Sequence, residues 1–377
     1  MNCRRITTGG CPALLALVAL LLPLLLAGGA CGGEGEPEPQ ATPSPGAQPS
    51  EQPPPIEAQG RLAFVAGGEA GWDVYVLDLS GGEPTRLTEG AVGQWPRWSP
   101  DGQRLAFANF SAEEDPLSGK GELVLVTADG AERQTLGTTG KTEVYTPVLD
   151  WSPDGTKIAW ETTARSDGVD TGINTIDVDT GAIAELAPGQ AGYMPAWSPD
   201  GSLIAFVSYE KDKGTDVDIY LMEADGSNVR LFASNKGPDI APSWSADGRR
   251  LVWWVRESGP HHMFMAEVGN GRVKELDTGS RPVWSPDGQH IAFMEQAEDG
   301  NVEIFVMDLE SGKRVNLTNN PATDMLPAWS PDGSLIAFIS QRDNPKGDIY
   351  LMDADGSNVR RLTDNDLTEL MLEWAPR

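Results

Sequence analysis

Seven tryptophans recur along the chain at intervals of 53, 46, 47, 40, 45 and 45 residues: Trp98, Trp151, Trp197, Trp244, Trp284, Trp329 and Trp374. The first six open the phrase Trp-Ser-Pro-Asp-Gly, with Ala246 the one departure, and the seventh survives as Trp374-Ala375-Pro376. A period of this length marks a repeat architecture, because one supersecondary unit cannot bury its apolar face alone and must stack on its neighbours.

Each repeat reads as four short strands. After Asp-Gly comes an apolar run such as Leu105-Ala106-Phe107, Ile204-Ala205-Phe206 or Ile336-Ala337-Phe338. A second run alternates, as in Asp348-Ile349-Tyr350-Leu351-Met352. It ends at an Asp355-Gly356 turn, and a weaker Arg361-Leu362-Thr363 strand follows. Period-two runs bounded by Asp, Gly, Pro and Ser are strand signals, and nothing between residues 60 and 377 sustains a helical period. In the recurring phrase, Pro presets a turn angle, Asp bonds nearby backbone and Gly takes positive φ. A tryptophan's large apolar face is best used where neighbouring sheets meet. The fold class is all-β, a β-propeller.

The ends set the blade count. Arg61-Leu62-Ala63-Phe64-Val65 is an Ile-Ala-Phe-type strand with no Trp strand before it, and Leu370 to Trp374 is a Trp strand with none after it. Joined, they complete one blade from three N-terminal strands and one C-terminal strand. The expectation is a seven-bladed propeller with Trp strands innermost. A six-bladed ring, the alternative, would have to discard a repeat.

The phrase from Pro327 to Phe338, followed by Asp348 to Gly356, resembles the repeat of the TolB propeller family, whose units are called PD40 repeats. The resemblance covers residues 61–377 and is specific for fold. It implies little about chemistry, since similar repeats accompany peptidases, lyases and plain binding proteins. Seven repeats also exceed the six blades of TolB itself.

The first 30 residues read as an export signal: Arg4 and Arg5, an apolar run from Ala13 to Ala27, then Gly28, Gly29 and Ala30 before Cys31. This arrangement is similar to a bacterial lipoprotein signal, with Gly28 where that family prefers Leu, and the resemblance implies a lipid on Cys31. Residues 31–59 are rich in Gly, Glu, Pro, Gln and Ser and read as a disordered tether, leaving 60–377 as the propeller. Cys3, Cys11 and Cys31 are the only cysteines, so disulfides and thiol chemistry are excluded from the propeller segment. A net charge of −28 makes nucleic acid and anionic lipid surfaces poor partners.

Catalytic patterns are scarce. No Gly-x-Ser-x-Gly elbow is present. His261 and His262 are adjacent, and neighbours on a strand point to opposite faces, so the pair cannot chelate one ion. This counts against a relative of the oligogalacturonate lyases, which resemble these repeats and use a histidine-bound metal. The Asp353 to Asn358 and Glu223 to Asn228 runs lack the ligand pattern of a calcium loop and read as hairpin turns. No catalytic residue, metal or cofactor is expected.

The start of each Trp strand is the informative place, because a propeller gathers these starts around one mouth of its channel. Five residues before each Trp stand Gly93, Thr146, Gly192, Asp239, Gly279, Asp324 and Glu369. Asp239, Asp324 and Glu369 are the candidate ligand-binding residues, with Trp95, Tyr193 and Arg281 lining the wall just inside. The expected function is a non-catalytic, monomeric, lipid-anchored binding protein of the periplasm or cell surface. Its partner is an envelope protein or peptide, or a glycan. A channel enzyme of the polysaccharide lyase or hydrolase type and a purely structural envelope protein stay open as alternatives.

Overall fold

The computed structural model describes residues 59–377 apart from 69–70, 90–91, 111–119, 142–147, 163–171, 189, 210–215 and 299. The leader, Cys31, Thr146 and all but the last tether residue lie outside the described residues. Among the described residues there are 28 strands and no helix.

The strands form seven four-stranded blades. In blade 1 the C-terminal Thr368–Trp374 pairs antiparallel with Arg61–Gly68, which pairs with Gly71–Asp78 and then Thr85–Arg86. Blades 2 to 7 follow chain order and open on Val92–Trp98, Leu149–Trp151, Tyr193–Trp197, Asp239–Trp244, Ser280–Trp284 and Asp324–Trp329. One parallel pair, Trp72 with Val92, joins the sheets of blades 1 and 2, so hydrogen bonding alone merges them into eight strands. Each Trp strand touches the Trp strand of the next blade, and Thr368–Trp374 touches Val92–Trp98. This closed cycle of seven makes the Trp strands innermost and confirms closure by three strands plus one.

The recurring phrase builds the same turn six times. In blade 2, Ser99 Oγ donates to Asp101 Oδ1 and accepts from the Arg104 amide at 2.9 Å, while Asp101 Oδ1 accepts from the Gln103 amide at 3.0 Å. Gly102 sits at φ 64°, and its amide donates to Ser99 O at 2.8 Å. The geometry returns at Ser152, Ser198, Ser245, Ser285 and Ser330. In blade 5, Ala246 changes nothing in it, because the bonds run through Ser245 and Asp247.

The core is a series of interblade clusters. One joins Val65, Val74 and Val76 of blade 1 to Trp98, Leu105 and Phe107 of blade 2, and others repeat the pattern around the ring. Five of the seven repeat tryptophans also bind backward. Trp98 Nε1 donates to Glu373 O at 3.3 Å, Trp151 to Arg97 O at 3.1 Å and Trp244 to Ala196 O at 2.9 Å. Trp284 donates to Ser243 O at 3.1 Å and Trp374 to Ala328 O at 3.0 Å. The acceptor is always the residue just before the preceding blade's tryptophan. Of the seven repeat tryptophans, Trp197 and Trp329 leave the indole nitrogen without a partner.

Trp374 closes the ring, buried at 7% exposure and paired in register with Leu62. Truncating a buried Trp costs about 3–5 kcal/mol, against a typical domain stability of about 5–15 kcal/mol. Deleting Leu370 to Arg377 also leaves Arg61–Gly68 with an open edge. The expected outcome is a melting temperature lowered by ten degrees or more, or aggregation, in a thermal scan. A truncated chain as stable as the full one would refute closure through this blade.

Candidate functional site

A ring of strained residues marks the channel wall. Three positions before the tryptophan, Trp95, Met194, Ala241, Arg281, Leu326 and Met371 all hold φ between 51° and 60°. Each lies in a bulge where the innermost strand slips register against its neighbour. A residue other than Gly or Asn in this conformation costs about 1 kcal/mol or more, so six in one ring is a strain that the blade interfaces must hold. Three of their amides bond the preceding blade: Trp95 N donates to Met371 Sδ at 3.4 Å, Leu326 N to Met294 Sδ at 3.3 Å and Met194 N to Glu161 Oε2 at 2.7 Å.

Of the residues singled out from sequence, Trp95 and Arg281 therefore belong to this strained collar. Both are partly exposed, and burial pushes Arg281 down to about 10. The Trp95 indole nitrogen is buried without a hydrogen-bond partner, a donor in the wall that a ligand could satisfy. Tyr193 is buried at 4% exposure, paired with Val207 across its own blade.

The three carboxylates differ from an exposed rim. Asp239, Asp324 and Glu369 each have 0% exposure. Asp239 accepts from Trp253 Nε1 at 2.7 Å and from the amide and side chain of Asn235 at 2.9 and 2.7 Å. Asp324 pairs with Arg342 at 3.1 Å and accepts from Asn320. Glu369 accepts from the Ile349 amide at 2.8 Å, Thr363 Oγ1 at 2.6 Å and Asn365 Nδ2 at 2.8 Å. No two share a partner. Each ties the start of its Trp strand to the connection leading into it, so they shape the mouth from behind rather than face it. Burial pushes Asp239 up to about 6 and also raises Glu369. At Gly279 an added Cβ would meet Phe293 at 2.5 Å, where blade 5 instead offers the Trp253 donor.

The charges that do reach the channel sit one residue before the tryptophan. Glu373, Arg97 and Asp150 occupy this position in blades 1, 2 and 3, where blades 4 to 7 carry Ala196, Ser243, Val283 and Ala328. Arg97 lies 3.4 Å from Glu373 and donates to Leu149 O at 3.3 Å. Glu373 accepts from the Trp98 amide at 3.1 Å and Asp150 from the Trp197 amide at 2.7 Å. The Arg97 side chain is 40% exposed and that of Glu373 22%. Burial pushes Glu373 up to about 7 and raises Asp150, while Glu373 above all holds Arg97 charged. The result is one contiguous polar arc on an otherwise small or apolar ring. Its signal was available in the sequence as three departures at a single repeat position.

Glu161 is a second departure. The residue after the Ile-Ala-Phe run is Val65, Ala108, Val207, Trp254, Met294 or Ile339 in the other blades. Glu161 is buried at 4% exposure, and burial pushes it up to about 7 despite the Met194 amide.

The two histidines separate, His261 standing just before the strand His262–Glu267 and His262 opening it. The His261 ring lies 5.0 Å from Trp254, and His262 Nδ1 is 2.8 Å from Glu275. The Asp353 to Asn358 run is a hairpin turn, with Gly356 at φ 85° and the Ser357 amide on Asp355. Among the described residues no group of three or more His, Cys, Asp or Glu is placed to hold a metal ion.

Glu161 yields a pH test. Its native carboxyl binds a proton more tightly than the unfolded chain does, so its contribution to stability is full below about pH 4.5 and is lost as pH rises through about 7. The displacement from 4.5 to about 7 corresponds to about 3 kcal/mol. Glu161→Gln should match the parent in urea unfolding near pH 4.5 and exceed it by about 1–3 kcal/mol at pH 8. A difference independent of pH would show that Glu161 is not displaced.

A family model, the TolB β-propeller domain, matches residues 108–281 and 277–377. The Tol-Pal system protein TolB of Francisella tularensis subsp. mediasiatica is 28% identical over 102 residues, which is 26% of this chain and 23% of that relative's length. The solved structure of TolB from Acinetobacter baumannii matches with a TM-score of 0.52 at 20% identity, covering 84% of this chain and 82% of that one. An oligogalacturonate lyase in complex with manganese gives 0.60 at 18% identity, covering 78% and 85%. At such identities the solved structures share the fold and nothing further. The family model spans well over half of the sequence, and the chain belongs to the TolB β-propeller domain family.

Proposed function

We propose that this chain is a non-catalytic binding protein of the cell envelope, held to a membrane by a lipid on Cys31 and a tether over residues 31–59, that takes a protein or peptide segment in its propeller channel. The observation that carries this reading is the polar arc Glu373, Arg97 and Asp150, set beside the strained collar of Trp95 and Arg281. Charged groups in a concave wall that is otherwise small and apolar give a segment both orientation and buried contact. Asp239, Asp324 and Glu369 act as the buried frame of the mouth through which that segment enters. Membership of the TolB propeller family and the likeness to a Tol-Pal system protein support an envelope setting.

Two measurements test this reading. Mass spectrometry of the mature N-terminal peptide should find a diacylglyceryl group on Cys31, and an unmodified start at another residue would sink the anchor. Cross-linking in intact envelopes should recover a partner with the parent chain. Arg97→Gln combined with Glu373→Gln should lower that recovery at least fivefold at unchanged fold content by circular dichroism. Equal recovery by both chains would place the partner elsewhere.

A second reading rests on Glu161 and Glu373, both pushed up to about 7, the range in which a carboxyl serves as general acid or base. In that reading the channel houses an enzyme of the polysaccharide lyase or hydrolase type. A glycan library incubated with the chain, with and without added divalent metal, should then yield shortened products that Glu373→Gln abolishes.

A further inference from the structure

The repeats provide their own control for a second site, on the flank between blades 6 and 7. In three blades the first residue of the second strand is an arginine that lies over the next blade's tryptophan. Arg61 sits 4.9 Å from the Trp98 ring centre, Arg104 5.6 Å from Trp151 and Arg250 4.9 Å from Trp284. Arg61 and Arg250 also donate to the carbonyl of the Asp-Gly turn below, Gly102 O at 2.5 Å and Gly288 O at 2.7 Å. The guanidinium thus stacks on an indole face and closes on a backbone acceptor, a geometry suited to arginine and not to lysine.

Blade 6 is one of four blades without this arginine; blades 3, 4 and 7 carry Lys157, Leu203 and Leu335 there. The blade 6 residue at this position is His290, whose imidazole is placed between Asp287 at 3.8 Å and Asp308 at 3.5 Å of its own blade. Trp329 below it is the one tryptophan of the seven that is not fully buried, and its indole nitrogen has no partner. Between them opens a cavity of about 390 Å³ lined by His290, Trp329 and Gly333, with Val306 and Val315 on the apolar side and Asp308 and Asp355 on the acidic side. Gly333 is the counterpart of Gly102 and Gly288. The cations at the cavity are Lys313, on its edge, and Arg377, which pairs with Asp332.

We propose that this cavity is a docking slot for an arginine side chain supplied by a partner protein. The incoming guanidinium stacks on Trp329 and donates to Gly333 O, and its aliphatic stem packs on Val306 and Val315. The chain's own Arg61 and Arg250 already make the stacking and carbonyl contacts in equivalent places, so the slot is shaped for that group. The net charge of −28 and the carboxylates around the slot favour a basic segment. The slot is separate from the channel, and either can fail without the other.

The test is a titration of the full chain with the peptide acetyl-Gly-Arg-Gly-amide, read from indole N–H signals in nuclear magnetic resonance, with Trp329 assigned by Trp329→Phe. The expected result is a saturable shift of the Trp329 signal, and a dissociation constant at least fivefold weaker for acetyl-Gly-Lys-Gly-amide. His290→Arg fills the slot from within, so it should remove the shift and raise the melting temperature. Equal shifts with the lysine peptide, a response that never saturates, or an undiminished response in His290→Arg would each overturn the assignment.

Discussion

The ring depends on a bond between the indole N–H of one blade and a carbonyl on the innermost strand of the blade before it. A tryptophan between two sheets brings a large apolar face and one donor, and that donor must find a partner once water is excluded. The innermost strand of each blade has the opposite problem, a free edge with unpaired carbonyls. The contact from Trp98 to Glu373 O, and its equivalents at Trp151, Trp244, Trp284 and Trp374, settles both at once. The acceptor always belongs to another blade, so no blade is complete alone. Trp98 reaching back to Glu373 is where the two ends of the chain are made interdependent.

The bulges follow from the same constraint. An extra residue in one strand bends it and re-aims its neighbours. In six blades that residue adopts a left-handed backbone without being glycine, and in three of them its amide bonds the preceding blade. Strain at the channel wall is thus maintained by interblade contacts. The residues carrying it include Trp95 and Arg281, whose backbone the bulge fixes.

Because the blades are near copies, a residue that departs from its counterparts stands out physically. Glu161 puts a carboxylate where other blades place Val, Ala, Met, Ile or Trp. Glu373, Arg97 and Asp150 replace small or apolar residues in three neighbouring blades. His290 stands where three blades place an arginine over an indole. Each departure leaves something a uniform ring would not have: a carboxyl displaced toward neutrality, a polar arc, an uncovered tryptophan.

The sequence by itself determined the repeat length, the strand order within a blade, the count of seven and the closure by three strands plus one. All of these are written in short-range patterns: apolar alternation, the Trp-Ser-Pro-Asp-Gly turn, and two incomplete ends that complement each other. The site was only partly legible. That strand starts converge is legible in the repeat, but the burial of Asp239, Asp324 and Glu369 is not, because it rests on partners that only the fold sets against them, Trp253, Arg342 and Thr363. The arc around Arg97 was present in the sequence as three separate letters. Only the closed ring sets Glu373, near the end of the chain, against Arg97, 276 residues earlier, and burial between blades then decides their charge.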